Sequence, residues 1–119
     1  LLWIPGREME AKNAYRKARD LLVPLLERRK NDVTLMSRLG LYSARLGDHL
    51  QAEPLLVNVI ALAPKSASVH FRAGLAYELL GERDAAIATL TKAVELGYPL
   101  KLIQAEPDLL DLRRASGSF

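Results

Sequence analysis

The chain of 119 residues contains no cysteine and few aromatic side chains, and each absence excludes a class of protein. Without cysteine there is neither a disulfide framework nor thiolate chemistry, which favours a cytoplasmic location and leaves the periplasm open. Aromatic residues make up 6% of the chain, so its core must consist mainly of aliphatic side chains. No run approaches the roughly 18 apolar residues of a membrane span, and we therefore expect no membrane insertion.

The chain also lacks a large excess of positive or negative charge, since its net charge is only +3. Residues 1–30 hold eight basic and four acidic groups, and the remaining residues are nearly balanced. A surface that binds nucleic acid as its main task usually carries a larger basic excess. We therefore interpret the basic clusters Arg16-Lys17-Arg19 and Arg28-Arg29-Lys30 as solvated helix faces, and we expect no nucleic-acid partner.

The residues that catalysis or metal binding would require are sparse. His49 and His70 are the only histidines, they lie in different parts of the chain, and no cysteine accompanies them. A metal site needs more ligands in a fixed geometry. No nucleophile elbow and no Gly-rich phosphate loop is present. We expect no catalytic residue, no cofactor and no metal ligand, so the chain is predicted not to be an enzyme.

What the sequence does contain is an internal repeat with a period of 34 residues. The matched positions keep their residue type or size, and the principal pairs are Arg38 with Arg72, Leu39-Gly40 with Ala73-Gly74, Leu41 with Leu75, Leu46-Gly47-Asp48 with Leu80-Gly81-Glu82, Ala52 with Ala86, Leu56 with Leu90, and Leu62 with Leu96. A period of this length indicates one helix–turn–helix unit that is copied and stacked. The sequence therefore predicts an all-α fold of antiparallel helical hairpins.

Apolar periodicity and helix-end signals divide the chain into five helices and a C-terminal tail. The predicted helices are residues 7–30, 33–46, 48–62, 67–80 and 83–96, with short helical turns after Pro99 and from Pro107. Asp32 and Asp48 suit N-caps, and Gly47 and Gly81 suit left-handed helix ends. Pro24 and Pro54 lie inside predicted helices, where we expect a kink or a bend.

The small and large residues alternate as close helix packing requires. Gly40 and Gly74 stand where a neighbouring helix must approach, Ala52 and Ala86 stand at the crossing point, and Leu56 and Leu90 fill the seam between them. After Pro99 the repeat fails, and we expect the tail to cover an exposed apolar face of the last unit. The candidates for this cover are Leu100, Ile103, Leu109, Leu110, Leu112 and Phe119.

These residues resemble the tetratricopeptide repeat family. The second unit carries the family pattern as Ala73-Gly74, Tyr77, Gly81-Glu82, Ala86, Leu90, Ala93 and Pro99, whereas the first unit has Ser43 at the place of the aromatic residue. The tail from Glu106 is similar to endings of bacterial members. We divide the chain into a degenerate N-terminal half-repeat (1–32), two units (33–66 and 67–100) and a cap (101–119). Leu1–Pro5 read as the end of an upstream segment of a longer protein.

The resemblance implies a right-handed solenoid whose concave face, lined by the first helix of each unit, binds a peptide or a partner's helix. Carried over by position, the partner-binding candidates are Arg38, Leu41, Arg45, Phe71, Arg72, Leu75 and Glu78. The arginines would hold a carboxylate or an acidic peptide, or they are simply solvated. The apolar candidates would anchor a partner, or they pack against a neighbouring unit.

The sequence therefore favours a non-catalytic protein–protein interaction module with a protein or peptide partner, for which acidic character is one option. A structural role in self-assembly is the alternative, because two units are fewer than the roughly three that an independent solenoid usually needs.

Overall fold

The computed structural model describes residues 7–119, and within this range it contains helices and no strand. The segment Leu1–Pro5, interpreted above as the end of an upstream segment, lies outside the described residues. The seven α-helices are α1 Arg7–Arg28, α2 Val33–Arg45, α3 His49–Leu62, α4 Ala67–Leu79, α5 Arg83–Glu95, α6 Leu100–Ala105 and α7 Leu110–Ser116, with a 3₁₀ turn at Pro107–Leu109. The all-α prediction is confirmed.

Polar side chains begin three of the helices. Asp32 accepts a hydrogen bond from the Leu35 backbone N–H at 3.1 Å, and Asp48 accepts one from Gln51 at 3.2 Å. The hydroxyl of Ser66 accepts from the Val69 N–H at 3.3 Å. Such bonds satisfy backbone donors that the first turn of a helix leaves free. The predicted capping roles of Asp32 and Asp48 are confirmed.

Glycines end the first helix of each hairpin. Gly47 has φ of +72° and Gly81 has φ of +80°, a left-handed conformation that side chains with a Cβ rarely adopt. The residue before each glycine donates its N–H back into the last helical turn. The chain can therefore reverse within a few residues, and α3 and α5 return antiparallel to α2 and α4.

Within each hairpin the two helices approach closely at a glycine. A Cβ added to Gly40 would lie 2.9 Å from Cδ2 of Leu56, and one added to Gly74 would lie 2.6 Å from Cγ of Leu90. Both leucines are fully buried, as are Ala52 and Ala86. The structure thus confirms that the 34-residue period repeats a packing contact as well as a sequence pattern.

The two hairpins stack through α2 and α4. One core cluster joins them and consists of Ala44, Ala52, Leu56, Ala73, Ala76 and Leu80. A second cluster at one end of this interface consists of Met36, Val59 and Val69, with Leu26 of α1 packed against it. The core is therefore continuous from one unit to the next, as in stacked helical repeats.

The C-terminal segment covers the second hairpin. Ile103, Leu109 and Leu112 are fully buried, and they form one cluster with Leu75, Ala86 and Leu90. Phe119 packs at the edge of this cluster. Leu100 and Leu110 remain exposed. The predicted cover exists, but these two leucines take no part in the buried core because they lie on the outer faces of short helices.

The first helix packs less completely. None of the α1 residues is buried, and Leu21 and Leu25 remain 71% and 39% exposed. Its contacts with the rest of the chain include Tyr15, which stacks on Tyr42 with 5.9 Å between ring centroids. Of the apolar residues that recur at helical spacing along α1, Ala11, Ala14 and Leu25 are exposed, whereas Ala18 and Leu22 are partly buried.

Pro24 and Pro54 lie inside α1 and α3, and neither proline breaks its helix. The kink and the bend expected at these positions stay predictions. Among the described residues, no helix combines the length and the apolar character needed to span a bilayer.

Candidate partner-binding face

The seven predicted partner-binding residues all lie on α2 and α4, the helices that pair between the two hairpins. We call this set the α2–α4 face; its members are Arg38, Leu41 and Arg45 of α2, and Phe71, Arg72, Leu75 and Glu78 of α4. The structure divides them into three groups by what their side chains already contact.

Two charged members of the face already have partners within the chain. Arg45 pairs with Asp108 at 3.1 Å, and its guanidinium carbon lies 5.4 Å from the centroid of the Tyr15 ring. Glu78 accepts two hydrogen bonds from Arg83, at 2.7 and 3.3 Å. Hydrogen bonding to Glu78 raises the pKa of Arg83 above its ordinary value. A partner would have to replace these contacts in order to use either residue.

The apolar members already pack against other residues of the chain. Leu75 is 3% exposed and belongs to the cluster that the C-terminal segment covers. Leu41 is half-buried and contacts the clusters of both hairpins. The ring of Phe71 stacks almost parallel on Tyr98, with 4.3 Å between centroids and 8° between planes. Leu41 therefore packs between the hairpins, whereas Phe71 stacks on a residue of its own unit, and the role of either as a partner anchor stays a prediction.

Arg38 and Arg72 occupy equivalent positions in α2 and α4, and they differ from the paired residues. Arg38 is exposed, while half-buried Arg72 donates a hydrogen bond across to the Ser37 hydroxyl at 3.2 Å. Within residues 7–119, neither guanidinium lies within 4.0 Å of a carboxylate. Both keep N–H groups that can donate two parallel hydrogen bonds to a carboxylate.

The hydroxyl group of Tyr98 lies near the positive charge of Arg72. Burial raises the pKa of the Tyr98 hydroxyl, while the positive charge of Arg72 acts in the opposite direction. Ser37 is 1% exposed and donates its own hydroxyl proton to the Thr34 carbonyl at 3.1 Å. Arg72 is therefore held at a fixed place between α2 and the turn after α5.

Sequence reasoning missed several residues that shape this face. Tyr98 lies in a turn after α5, and Asp108 lies in the C-terminal segment, so no periodicity links either residue to α2 or α4. Tyr15 belongs to α1, which lies outside the two repeated units. Only the assembled fold brings these side chains to the α2–α4 face.

A second group of polar residues lies on α3, away from the predicted candidates. His49 and Glu53 are one helical turn apart, with 3.7 Å between Nδ1 and the Glu53 carboxylate. Glu82, at the start of α5, lies close enough that all three offer ligand atoms within 4.8 Å of one another. His49 and Glu53 also border a shallow depression of about 450 Å³, lined by Leu50, Pro54, Val57 and Asn58.

The two carboxylates of this group interact directly. A side-chain hydrogen bond with Glu53 raises the pKa of Glu82, with burial and the Glu53 charge acting in the same direction. A shared proton between carboxylates has this effect because two like charges at close range cannot both ionise freely. The same two charges contribute to a raised pKa of Tyr77, for which burial is the main cause.

Stacked antiparallel hairpins with a 34-residue period define an α-helical repeat protein. Residues 67–96, which cover α4 and α5, match the family model of the tetratricopeptide repeat. The second hairpin is therefore a tetratricopeptide repeat, as the sequence predicted. Tetratricopeptide repeats are typically modules of protein–protein interaction, and the repeat at residues 67–96 indicates such a module.

The match covers the second hairpin, and the first hairpin shares its fold and its Gly–Leu contact. No curated protein and no solved structure matches the chain. The similarity of the tail to bacterial members stays a prediction, as does the division of the chain into two units, a half-repeat and a cap.

Proposed function

We propose that the α2–α4 face binds an acidic peptide segment or helix of a partner protein, with Arg38 and Arg72 as the recognition residues. The observation that supports this proposal is the contrast among the charged candidates. Arg45 and Glu78 have oppositely charged partners within the chain, whereas Arg38 and Arg72 have none among the described residues. A partner's carboxylate can therefore reach these two guanidinium groups without displacing an existing ion pair.

The spacing of the two arginines suits an extended or helical ligand. They stand at equivalent positions of adjacent helices, and packed helices lie about 8–10 Å apart. Two carboxylates of one peptide can span this distance. Half-buried Leu41 lies one turn after Arg38 and offers some apolar surface between the two charges.

The proposal assigns a smaller role to the other candidates. Leu75 supports the face from within the core, and Phe71 fixes the turn at Tyr98 through their stacked rings. Substitution of either residue would disturb packing as well as binding. Charge reversal at the two arginines is therefore the more selective test.

The test is a selection of random peptides displayed on phage against the wild-type chain, followed by affinity measurements on the enriched peptides. We expect acidic peptides to be enriched. Their affinity should fall at least about tenfold for Arg38→Glu combined with Arg72→Glu, a change of about 1.4 kcal/mol. Far-UV circular dichroism and thermal melting should show that the double variant still folds.

A matched control makes the same change in total charge elsewhere. Lys101→Glu combined with Arg114→Glu alters two exposed basic residues of the C-terminal segment, and this variant should bind selected peptides nearly as well as wild type. Peptides that bind the Arg38/Arg72 variant as tightly as wild type would place the binding face elsewhere. A selection that enriches no acidic peptide would contradict the proposal as well.

Self-assembly is the second candidate, and exposed apolar side chains favour it. Leu21 and Leu25 lie one turn apart on α1, and Leu50 and Val57 lie two turns apart on α3. A second copy of the chain could cover such surfaces. Sedimentation across a concentration series tests this: a monomer at every concentration would exclude it, and association should be weakened by Leu21→Ser with Leu25→Ser.

A further inference from the structure

The residues His49, Glu53 and Glu82 form a compact polar group that the proposed peptide-binding function does not use. His49 and Glu53 lie on the first turns of α3, which belongs to the first hairpin. Glu82 precedes α5, which belongs to the second hairpin, and its side chain reaches the same place. The group therefore brings together side chains of the two units that are far apart in sequence.

The donor set is one that a divalent transition-metal ion accepts. An imidazole nitrogen with two carboxylate oxygens is a typical ligand combination for zinc, whose bonds to such atoms are about 2.0–2.2 Å long. Around a tetrahedral ion these bonds place neighbouring ligand atoms about 3.4 Å apart. The three candidate ligand atoms lie within 4.8 Å of one another. Binding an ion would therefore require the side chains of exposed His49 and of the two Glu residues to rotate towards one another.

The carboxylate of Glu82 is not engaged at its own helix. Asp32, Asp48 and Ser66 each accept a backbone N–H bond at the start of the helix that follows them. Glu82 occupies the same capping position of α5 and makes no such bond. Its carboxylate is directed instead towards Glu53, although this brings two acidic groups together.

Among residues 7–119, no group with a permanent positive charge pairs with these two carboxylates. In the part of the chain that the structure describes, no Lys or Arg lies within 4.0 Å of the Glu53 or Glu82 carboxylate, and the one basic neighbour recorded is His49 at 3.7 Å. A bound cation would supply the missing charge and replace repulsion by two attractive contacts.

We propose that His49, Glu53 and Glu82 bind one Zn²⁺ ion, which links the first hairpin to the second. Water completes the coordination, because the group is open to solvent on the side of the α3 depression. The imidazole ligand favours zinc over Mg²⁺ and Ca²⁺, which prefer sites made of oxygen atoms. The positive ends of the α3 and α5 dipoles oppose a cation, so this site is weaker than a closed four-ligand site.

The test is calorimetric titration of the wild-type chain with ZnCl₂ near neutral pH in a buffer that does not bind zinc. We expect one site per chain. Its affinity should fall at least about tenfold in His49→Ala and also in Glu82→Gln, because each removes one of three protein ligands. Glu95→Gln is the matched control: it removes an exposed carboxylate that pairs with Lys92, and it should leave the zinc affinity unchanged.

A second measurement separates ligation from a purely structural effect. Without metal, Glu82→Gln should melt at a higher temperature than wild type, because it relieves carboxylate repulsion. Saturating Zn²⁺ should raise the melting temperature of wild type more than that of the variant. In an NMR titration, Zn²⁺ should shift the ring signals of His49 and leave those of His70, whose Nδ1 lies 2.7 Å from the Ser66 carbonyl oxygen.

Three results would overturn the proposal. The first is an absence of zinc binding to wild type at millimolar concentration. The second is a zinc affinity that is unchanged in His49→Ala and Glu82→Gln. The third is binding of Mg²⁺ or Ca²⁺ as tight as that of Zn²⁺, because it would show that the imidazole is not a ligand. None of these outcomes bears on peptide binding at Arg38 and Arg72.

Discussion

The first hairpin, α2–α3, is flanked by α1, whereas the second, α4–α5, is flanked by the C-terminal segment. The C-terminal segment buries three side chains completely, Ile103, Leu109 and Leu112, against the second hairpin. Although α1 is longer, it buries no residue against the first hairpin, and it contacts it through partly exposed side chains such as Tyr15 and Leu26. The length of a helix is therefore a poor guide to its contribution to stability, because that contribution depends on the apolar area that the helix removes from water.

The largest expected effect on stability is a difference between substitutions in the C-terminal segment and substitutions in α1. Leu112→Ala should lower the free energy of unfolding by about 3 kcal/mol, because the side chain is fully buried and its loss leaves a cavity. Leu21→Ala in α1 should change it by less than about 0.5 kcal/mol, because the side chain is mostly in water already. Urea unfolding followed by circular dichroism measures both values, and Leu110→Ala is the control within α7. Equal losses at Leu112 and Leu21 would mean that α1 is packed as firmly as the C-terminal segment.

The next effect contrasts the two hairpins with each other. A Cβ at Gly74 would meet Cγ and Cδ2 of Leu90 at 2.6 and 2.7 Å and its backbone nitrogen at 3.2 Å, whereas at Gly40 the closest atom is the mobile Cδ2 of Leu56 at 2.9 Å. Gly74→Ala should therefore cost about 2–3 kcal/mol. Gly40→Ala should cost about 1 kcal/mol or less, because a leucine methyl group can rotate away and alanine favours the helix.

A double-variant cycle checks the cause of this difference. Combining Gly74→Ala with Leu90→Ala should destabilise the protein by less than the sum of the two single variants, because the two shortest contacts, with Cγ and Cδ2 of Leu90, are then absent. Strict additivity would show that Gly74 is sensitive for a reason other than its contact with Leu90.

The smallest effect concerns the residue before the second helix of each hairpin, which is Asp48 for α3 and Glu82 for α5. Asp48→Ala should destabilise the protein by about 1 kcal/mol, because Asp48 caps α3 through the Gln51 N–H. Glu82→Ala should show no such loss, because Glu82 makes no capping bond at α5. Thermal melting of both variants at neutral pH measures the difference, and a comparable loss at Glu82 would contradict it.

The pH dependence of Glu82 has a definite sign. Its pKa is raised in the folded state, so the folded protein binds this proton more tightly than the unfolded chain does. The corresponding stabilisation is complete below the ordinary Glu pKa and is lost as pH rises through the raised value. The advantage in stability of Glu82→Gln over wild type should therefore grow between acid and neutral pH. An advantage that shrinks over this range would mean that folding lowers the pKa of Glu82 instead of raising it.

The second hairpin was predictable in detail, and the reason is local. Gly81, Ala86 and Leu90 each have one physical requirement, a left-handed turn, a close crossing and a filled seam, which few residue types meet. Such requirements appear in the sequence as a pattern with a fixed period. For the same reason the capping residues Asp32 and Asp48 could be identified, since they act on backbone groups two or three positions away.

The candidate sites were less predictable, because their decisive contacts join residues that no period relates. Whether Arg45 has an acidic partner depends on where Asp108 lies, and this depends on the path of the C-terminal segment. The sequence likewise does not show how completely α1 packs: none of its residues is buried, and Leu25 is 39% exposed.

The sequence alone determined that this protein is a stack of antiparallel helical hairpins, because helix length, turn geometry and close packing are encoded within each 34-residue unit. The tertiary structure decided which charges remain available. Arg45 pairs with Asp108, and Glu78 pairs with Arg83. Arg38 and Arg72 have no acidic neighbour among the described residues. Glu82 lies close to His49 and Glu53. The Arg45–Asp108 pair and the group of His49, Glu53 and Glu82 join different units, where distance in space bears no fixed relation to distance along the chain.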